Sequence, residues 1–204
     1  MTSELRLSRA RLAANIAAVQ SRIAPAELLL VVKDDAYAHG VEAVTSIALD
    51  AGVRWFGAID PRSALRAKDV AGEAARVFCW LTLGVDDATA ALAGGLELGV
   101  GDADYLERVA DVARDPAVVH LKIDTGLHRN GVRPEDWPAF VTRAAALQRA
   151  GHIRVAGIWS HISEASDDDD DVARAAFDAA VTIAREAGLD PEVRHLAASA
   201  AGWA

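Results

Sequence analysis

Val118-Val119-His120-Leu121-Lys122-Ile123 is followed by an Ala-rich amphipathic stretch over residues 134–150. Gly151 closes that stretch, and Val155-Ala156-Gly157-Ile158-Trp159 comes next. Both apolar runs are nearly continuous rather than alternating, the pattern of strands buried on both faces. The segment between them has helical spacing and stops at a glycine, as helices do. Strand, helix, strand predicts a parallel pair joined by a crossover helix. The same order recurs outward from this stretch. Apolar runs lie at residues 28–32, 55–59, 77–81 and 96–99, and a second helical stretch, 168–187, ends at Gly188 before Val193-Arg194-His195-Leu196. Their starts are spaced by roughly one βα unit, about 20–40 residues.

About seven such strands fit either a doubly wound open sheet or a (β/α)8 TIM-type barrel that lacks its last βα unit. No Gly-x-Gly-x-x-Gly fingerprint follows the first run, which weakens the dinucleotide version. Polar and reactive residues instead follow several strands at their C-terminal ends: Lys33, Asp124, His161 and Ser199. A barrel's top face supplies that distribution. The expected fold is therefore α/β, an incomplete barrel. No linker or composition shift divides residues 1–204, which predicts one domain.

With 204 residues, 52% of them apolar and 25% charged, the chain has the composition of a soluble globular protein. It contains no apolar run of about 18 residues, so no membrane span is expected. The N-terminus lacks a basic segment followed by an apolar one, and Cys79 is the sole cysteine, so a reducing cytoplasm is the expected location. A formal charge of −9 argues against nucleic acid as a partner. The five aspartates at 167–171 read as a solvated helix start capped by Ser166. The histidines show no metal-ligand spacing, so no metal is expected.

Of 21 basic residues only Lys33, Lys68 and Lys122 are lysines. Lys68 lies in a polar stretch and reads as a solvated helix residue. Lys33 and Lys122 lie at or inside apolar runs, where a lysine is costly unless neutral, paired or modified. A part-desolvated lysine at a strand end can act as an amine nucleophile. Equally, Lys33 could reach water or pair with Asp34 or Asp35.

The segment Val31-Val32-Lys33-Asp34-Asp35-Ala36-Tyr37-Ala38-His39-Gly40 resembles the pyridoxal-phosphate attachment motif of the alanine racemase family. Four more segments resemble that family in order: Leu12–Ala13–Ala14–Asn15–Ile16; residues 121–132 around Lys122, Asp124 and Arg129; residues 157–165 around His161; and residues 194–200 around Ser199. Together they cover essentially the whole chain and identify it as the family's N-terminal barrel.

The resemblance implies a pyridoxal 5'-phosphate cofactor and interconversion of L- and D-alanine, supplying D-alanine for peptidoglycan, with serine or a broader amino-acid set as the variant. By resemblance, Lys33 holds the cofactor as an internal aldimine and serves as one racemising base. Tyr37 reaches the phosphate, Arg129 meets the cofactor's phenolic oxygen and the substrate carboxylate, His161 stands beside the pyridine ring, and Ser199 donates to phosphate. Lys122 matches a lysine that is carbamylated in several members. On the residues alone, Tyr37 and His161 also read as packed structural groups, Arg129 as a salt bridge to Asp124 or a neighbour, and Lys122 as an unmodified partner of Asp124.

The match departs from the family at Asp34, where a small residue is usual, at Ala38, usually Gly, and at Ala198, usually Asn. If the loop after Lys33 needs positive φ at position 38, alanine there costs about 1 kcal/mol or somewhat more. The family continues beyond this length with the last barrel unit and a β-rich C-terminal domain. That domain's tyrosine is the second base, reaching the partner's site in a homodimer. The reading therefore expects a truncated racemase barrel with no C-terminal β domain and open edges on its first and seventh strands. Its alternatives are a non-catalytic pyridoxal-phosphate-binding barrel and an inactive remnant.

Overall fold

The computed structural model describes residues 6–82, 84–196 and 198. These fall into two compact units, one ending at Glu97 and the other beginning at Leu98.

In the first unit α1 (Arg9–Ile23) is capped by Ser8, whose side chain accepts from the backbone N–H of Arg11. Then follow β1 (Leu29–Val31), the turn-like α2 (Lys33–Ala38), α3 (Val41–Asp50), β2 (Trp55–Ala58), α4 (Pro61–Ala71), β3 (Arg76–Cys79) and α5 (Val85–Ala93). Strands β1, β2 and β3 pair in parallel and in chain order, with Leu30 opposite Phe56 and Phe56 opposite Val77. Pro61 opens α4 at a position that needs no N–H, while the Asp60 carboxylate accepts from Ser63 N at 2.9 Å. Strand β3 begins one residue before its apolar run. Arg76 lies 4.8 Å from the Trp55 ring and forks onto the buried carboxylate of Glu97, so its charge is accommodated within the sheet.

Strand β4 (Glu97–Val100) starts on the last residue of the first unit, and in the second unit it is followed by α6 (Ala103–Val112), β5 (Ala117–Lys122), α7 (Trp137–Arg149), β6 (Ile153–Ser160), α8 (Asp167–Glu186) and β7 (Val193–Leu196). Strands β4 to β7 are again parallel and sequential, with a register irregularity between Val119 and His120. Strands β2 and β4 are buried along their whole length and β5 and β6 nearly so, as continuous apolar runs require. Strands β1 and β7 are less buried than these. Helix α7 is locked to α8 where buried Trp137 donates from Nε1 to the carbonyl of Ala180. Gly151 and Gly188 stop these helices with φ of 82° and 91°, conformations that favour glycine.

Two surface expectations are corrected. Lys68 is half-buried rather than solvated: its stem covers Gly95 and its ammonium meets Glu73 at 3.3 Å. At the start of α8, Ser166 does cap the helix, accepting from Asp169 N at 3.1 Å. Asp170, however, is buried and accepts from Glu164 N, which ties the preceding loop down onto the helix. Among the described residues no helix is long and apolar enough to cross a membrane.

Candidate active site

Lys33 stands two residues beyond β1, and there the backbone reverses its hand. From Asp34 to Ala38 the φ angles are 53°, 55°, 53°, 55° and 63°, a left-handed turn built without glycine. Each such residue costs about 1–2 kcal/mol relative to right-handed backbone. Compensating hydrogen bonds converge on the turn. Ala36 N donates to Val32 O, Gly40 N to Asp35 O, and Val41 N to the Asp35 carboxylate at 3.1 Å. His39 Nδ1 lies 3.0 Å from the carbonyl oxygens of Ala36 and Tyr37, both acceptors, so Nδ1 carries the proton. Arg66 reaches from α4 to Asp35 at 3.0 Å and forks onto Glu42 at 2.7 Å, joining α4 to the turn and to α3. That fork raises the Arg66 pKa and lowers that of Glu42. Lys33 is half-buried, with its Nζ 5.5 Å from the centre of the exposed Tyr37 ring. Ala38 ends the run at positive φ, the conformation that glycine adopts at least cost.

In the second unit, β5 ends on Lys122, which is 4% exposed with its ammonium 4.5 Å from the centre of the Trp159 ring. Burial first, then the charge of Arg129, pushes the Lys122 pKa down to about 8, against a smaller opposing pull from Asp124. Salt bridges from Asp124 to Lys122 or Arg129, the alternative readings of those two residues, are not formed among the described residues. The Asp124 carboxylate organises the next turn, accepting from Gly126 N, His128 N and the His128 ring at 3.1, 3.0 and 3.1 Å. Burial alone would raise the Asp124 pKa; the two backbone N–H groups and His128 outweigh it, and the net shift is downward. Gly131 closes the turn at φ 122°, where a Cβ would come within 2.8 Å of Asp124 N. Arg129 projects from this turn, exposed.

His161 follows β6 and is half-buried at the wall of a cavity of about 370 Å³, shared with Thr125, His128, Ser163, Asp169 and Val172. Below it, Ser160 donates to the carbonyl of Ile123 at 2.7 Å, so Thr125 donates in turn to Ser160 Oγ at 2.9 Å. These bonds fix the C-terminal ends of β5 and β6 to each other. Lys33 and Tyr37 therefore meet in the first unit, and Lys122 and Arg129 interact in the second, where His161 lines the cavity. Ser199 lies outside the described residues. Reading the sequence alone assigned no role to Trp159, whose ring faces the Lys122 ammonium, or to His120 and His195, which pair with each other and hold that ring. The signal that could have found Trp159 is an amphipathic aromatic inside the same motif as His161.

Residues 7–203 match the family model for the alanine racemase N-terminal domain. Alanine racemase of Thermobifida fusca is 37% identical over 98% of this chain and 54% of its own length; that of Beutenbergia cavernae is 38% identical over 93% and 51%. Crystal structures of alanine racemase from Streptomyces lavendulae (34% identical) and of the Streptomyces coelicolor enzyme (35%) each superpose with a TM-score of 0.90 over 95% of this chain and about half of theirs. The fold class is accordingly the (β/α)8 barrel of these enzymes, represented by seven βα-type strands. The chain spans about half the length of the relatives it matches, and it belongs to the alanine racemase family as a representative of the N-terminal domain.

Proposed function

We propose that residues 1–204 are the pyridoxal 5'-phosphate-binding part of an amino-acid racemase, an isomerase acting on alanine. The observation that carries this reading is the left-handed turn on which Lys33 stands. Five consecutive non-glycine residues at positive φ are kept only where surrounding structure enforces them, and such strain clusters at functional sites. A half-buried amine on a rigid turn fits a cofactor that bears an aldehyde. Arg129, a fixed cation on the turn after β5, fits one that bears a phenolic oxygen.

Bound pyridoxal 5'-phosphate supplies the electron sink that makes the Cα–H of an amino acid acidic. Racemisation then needs a proton removed from one face of Cα and returned on the other. Lys33 would hold the cofactor through its amine and, once released by the incoming amino acid, move the proton on one face. Tyr37 would bind the phosphate, joined by Ser199. Arg129, always charged and planar, would bind the phenolic oxygen and the substrate carboxylate. His161 would stand beside the pyridine ring, and Lys122, as a carbamate, would orient Arg129. A tyrosine from the partner subunit of a homodimer would act on the second face. A cytoplasmic role in D-alanine supply for peptidoglycan follows from the same family reading.

The test is to purify the chain with pyridoxal 5'-phosphate, record the absorption band of amine-bound cofactor, reduce with borohydride and map the labelled peptide. A label on Lys33 that disappears in Lys33→Met is expected. No band and no label in folded protein would overturn the reading.

A further inference from the structure

Asp124 and His128 face each other across the turn after β5. Asp124 is buried. One of its carboxylate oxygens takes up Gly126 N and His128 N, while the other meets Nδ1 of the His128 ring at 3.1 Å. A carboxylate only accepts, so Nδ1 carries the proton and the neutral ring keeps its lone pair on Nε2. No hydrogen bond of a described residue occupies that nitrogen. The backbone at His128 has φ 56°, left-handed for a residue other than glycine. The imidazole is nevertheless 83% exposed, on the wall of the cavity of about 370 Å³ that it shares with His161. A histidine held through one nitrogen by a carboxylate, and left open at the other on a cavity wall, has the arrangement of an oriented general base. The other acid on that wall is Asp169 of α8, whose Oδ2 accepts from the Ser166 hydroxyl, and the next residue in the chain is exposed Arg129.

An amino acid in neutral water is a zwitterion, and its ammonium has no lone pair with which to displace Lys33 from a cofactor. A base must first take a proton from it. We propose that His128 is that general base, with Asp124 as the positioning residue that holds its tautomer. One N–H bond of the ammonium breaks and the electron pair stays on its nitrogen. The proton moves to Nε2 of His128, and the Asp124 carboxylate offsets the imidazolium charge. The proposal rests on the racemase reading, in which Arg129 takes the substrate carboxylate. The ammonium is borne by the carbon next to that carboxylate, so it arrives at the turn that carries His128. Asp169 on the cavity wall favours the approach of a cation.

The chain has 6 histidines, so 15N-labelled histidine gives a small set of ring signals, and His128→Asn identifies those of His128. Asparagine adopts left-handed backbone readily, so this variant keeps the turn. In the cofactor-free chain, Nδ1–H with an unprotonated Nε2 is expected. Asp124→Asn keeps an oxygen for the two backbone N–H groups and turns an amide N–H toward Nδ1, so the proton should move to Nε2. In the cofactor-loaded chain, stopped-flow absorbance follows the displacement of Lys33 by an added amine. With L-alanine at neutral pH, His128→Asn and Asp124→Asn should each react about 100-fold more slowly than the parent chain. With methoxyamine, which is already neutral there, both should match the parent, because no proton has to be removed first. Should Asp124→Asn fail to fold, His128→Asn carries the comparison alone. Equal losses with both amines, unchanged rates with L-alanine, or an Nε2–H tautomer in the parent chain would each overturn the proposal. The borohydride label on Lys33 is read separately. Its absence removes the racemase reading, whereas its presence with unchanged exchange rates removes the base alone.

Discussion

Replacing Ala38 by glycine should stabilise this protein, although the same replacement in a helix does the opposite. Ala38 has φ 63° and an exposed side chain, so its methyl group contributes backbone strain and no packing. Removing a Cβ from left-handed backbone relieves about 1–2 kcal/mol. Against this, glycine gives the unfolded chain extra freedom, which costs about 0.4–1 kcal/mol. The difference leaves a gain of about 0.5–1 kcal/mol, a rise of about 1–4 °C in Tm for a chain of this size. Ala175, exposed in the middle of α8, is the internal control: Ala175→Gly should lose about 1 kcal/mol. Thermal and urea unfolding of both variants, followed by circular dichroism, measures the two signs in one background. If Ala38→Gly loses stability as Ala175→Gly does, the turn after Lys33 is not left-handed in solution, and the strain argument for the site fails with it.

Two further outcomes follow from the second unit. Lys122 has a folded-state pKa of about 8 against an ordinary 10.5, so between those values the unfolded chain holds a proton that the folded chain has released. Stability must therefore rise with pH across that window, by up to about 3 kcal/mol relative to Lys122→Met; a flat difference between the two unfolding profiles would refute it. Gly157→Ala should cost about 1–3 kcal/mol by driving a methyl group into the His120 imidazole, measured as a lowered urea midpoint, and a neutral effect would mean that the His120–His195 pair is loosely held.

The strand–helix alternation was legible because burial on both faces leaves continuous apolar runs. Where strands extend past those runs, a particular charge explains the mismatch. Strand β6 starts at Ile153 because Arg154, exposed within the ladder opposite Val118, interrupts the apolar pattern without interrupting the hydrogen bonds. Strand β3 starts at Arg76 for the reason given by Trp55 and Glu97. The hand of the turn at residues 34–38 was not legible from pattern. Asp34 and Asp35 are of a type only modestly enriched at positive φ and Ala and Tyr carry no such signal, so the comparison of Ala38 with a usual glycine was the main pointer. Lys122 stood out as a lysine in an apolar strand, but its partner did not. Periodicity reports which face a residue occupies; it takes the register of β5, β6 and β7 to show that Trp159 is the neighbour.

The two features that matter most for the proposed chemistry are both costs to folding. A run of five residues at positive φ costs about 5–10 kcal/mol of backbone strain, comparable to the whole net stability of an ordinary domain. The turn survives because Asp35, His39 and Arg66 supply bonds that a right-handed path would not make. Lys122 likewise sits in a strand where methionine would fold better, its charge opposed by burial and by Arg129. Sites that spend stability in this way are where local rules of folding give way to chemistry. Both fall inside segments that match the alanine racemase pattern, around Lys33 and around Lys122 to Arg129. Backbone strain and a buried charge on one side, and similarity to a family on the other, fall on the same residues, which makes those two segments the first places to test for cofactor and proton chemistry.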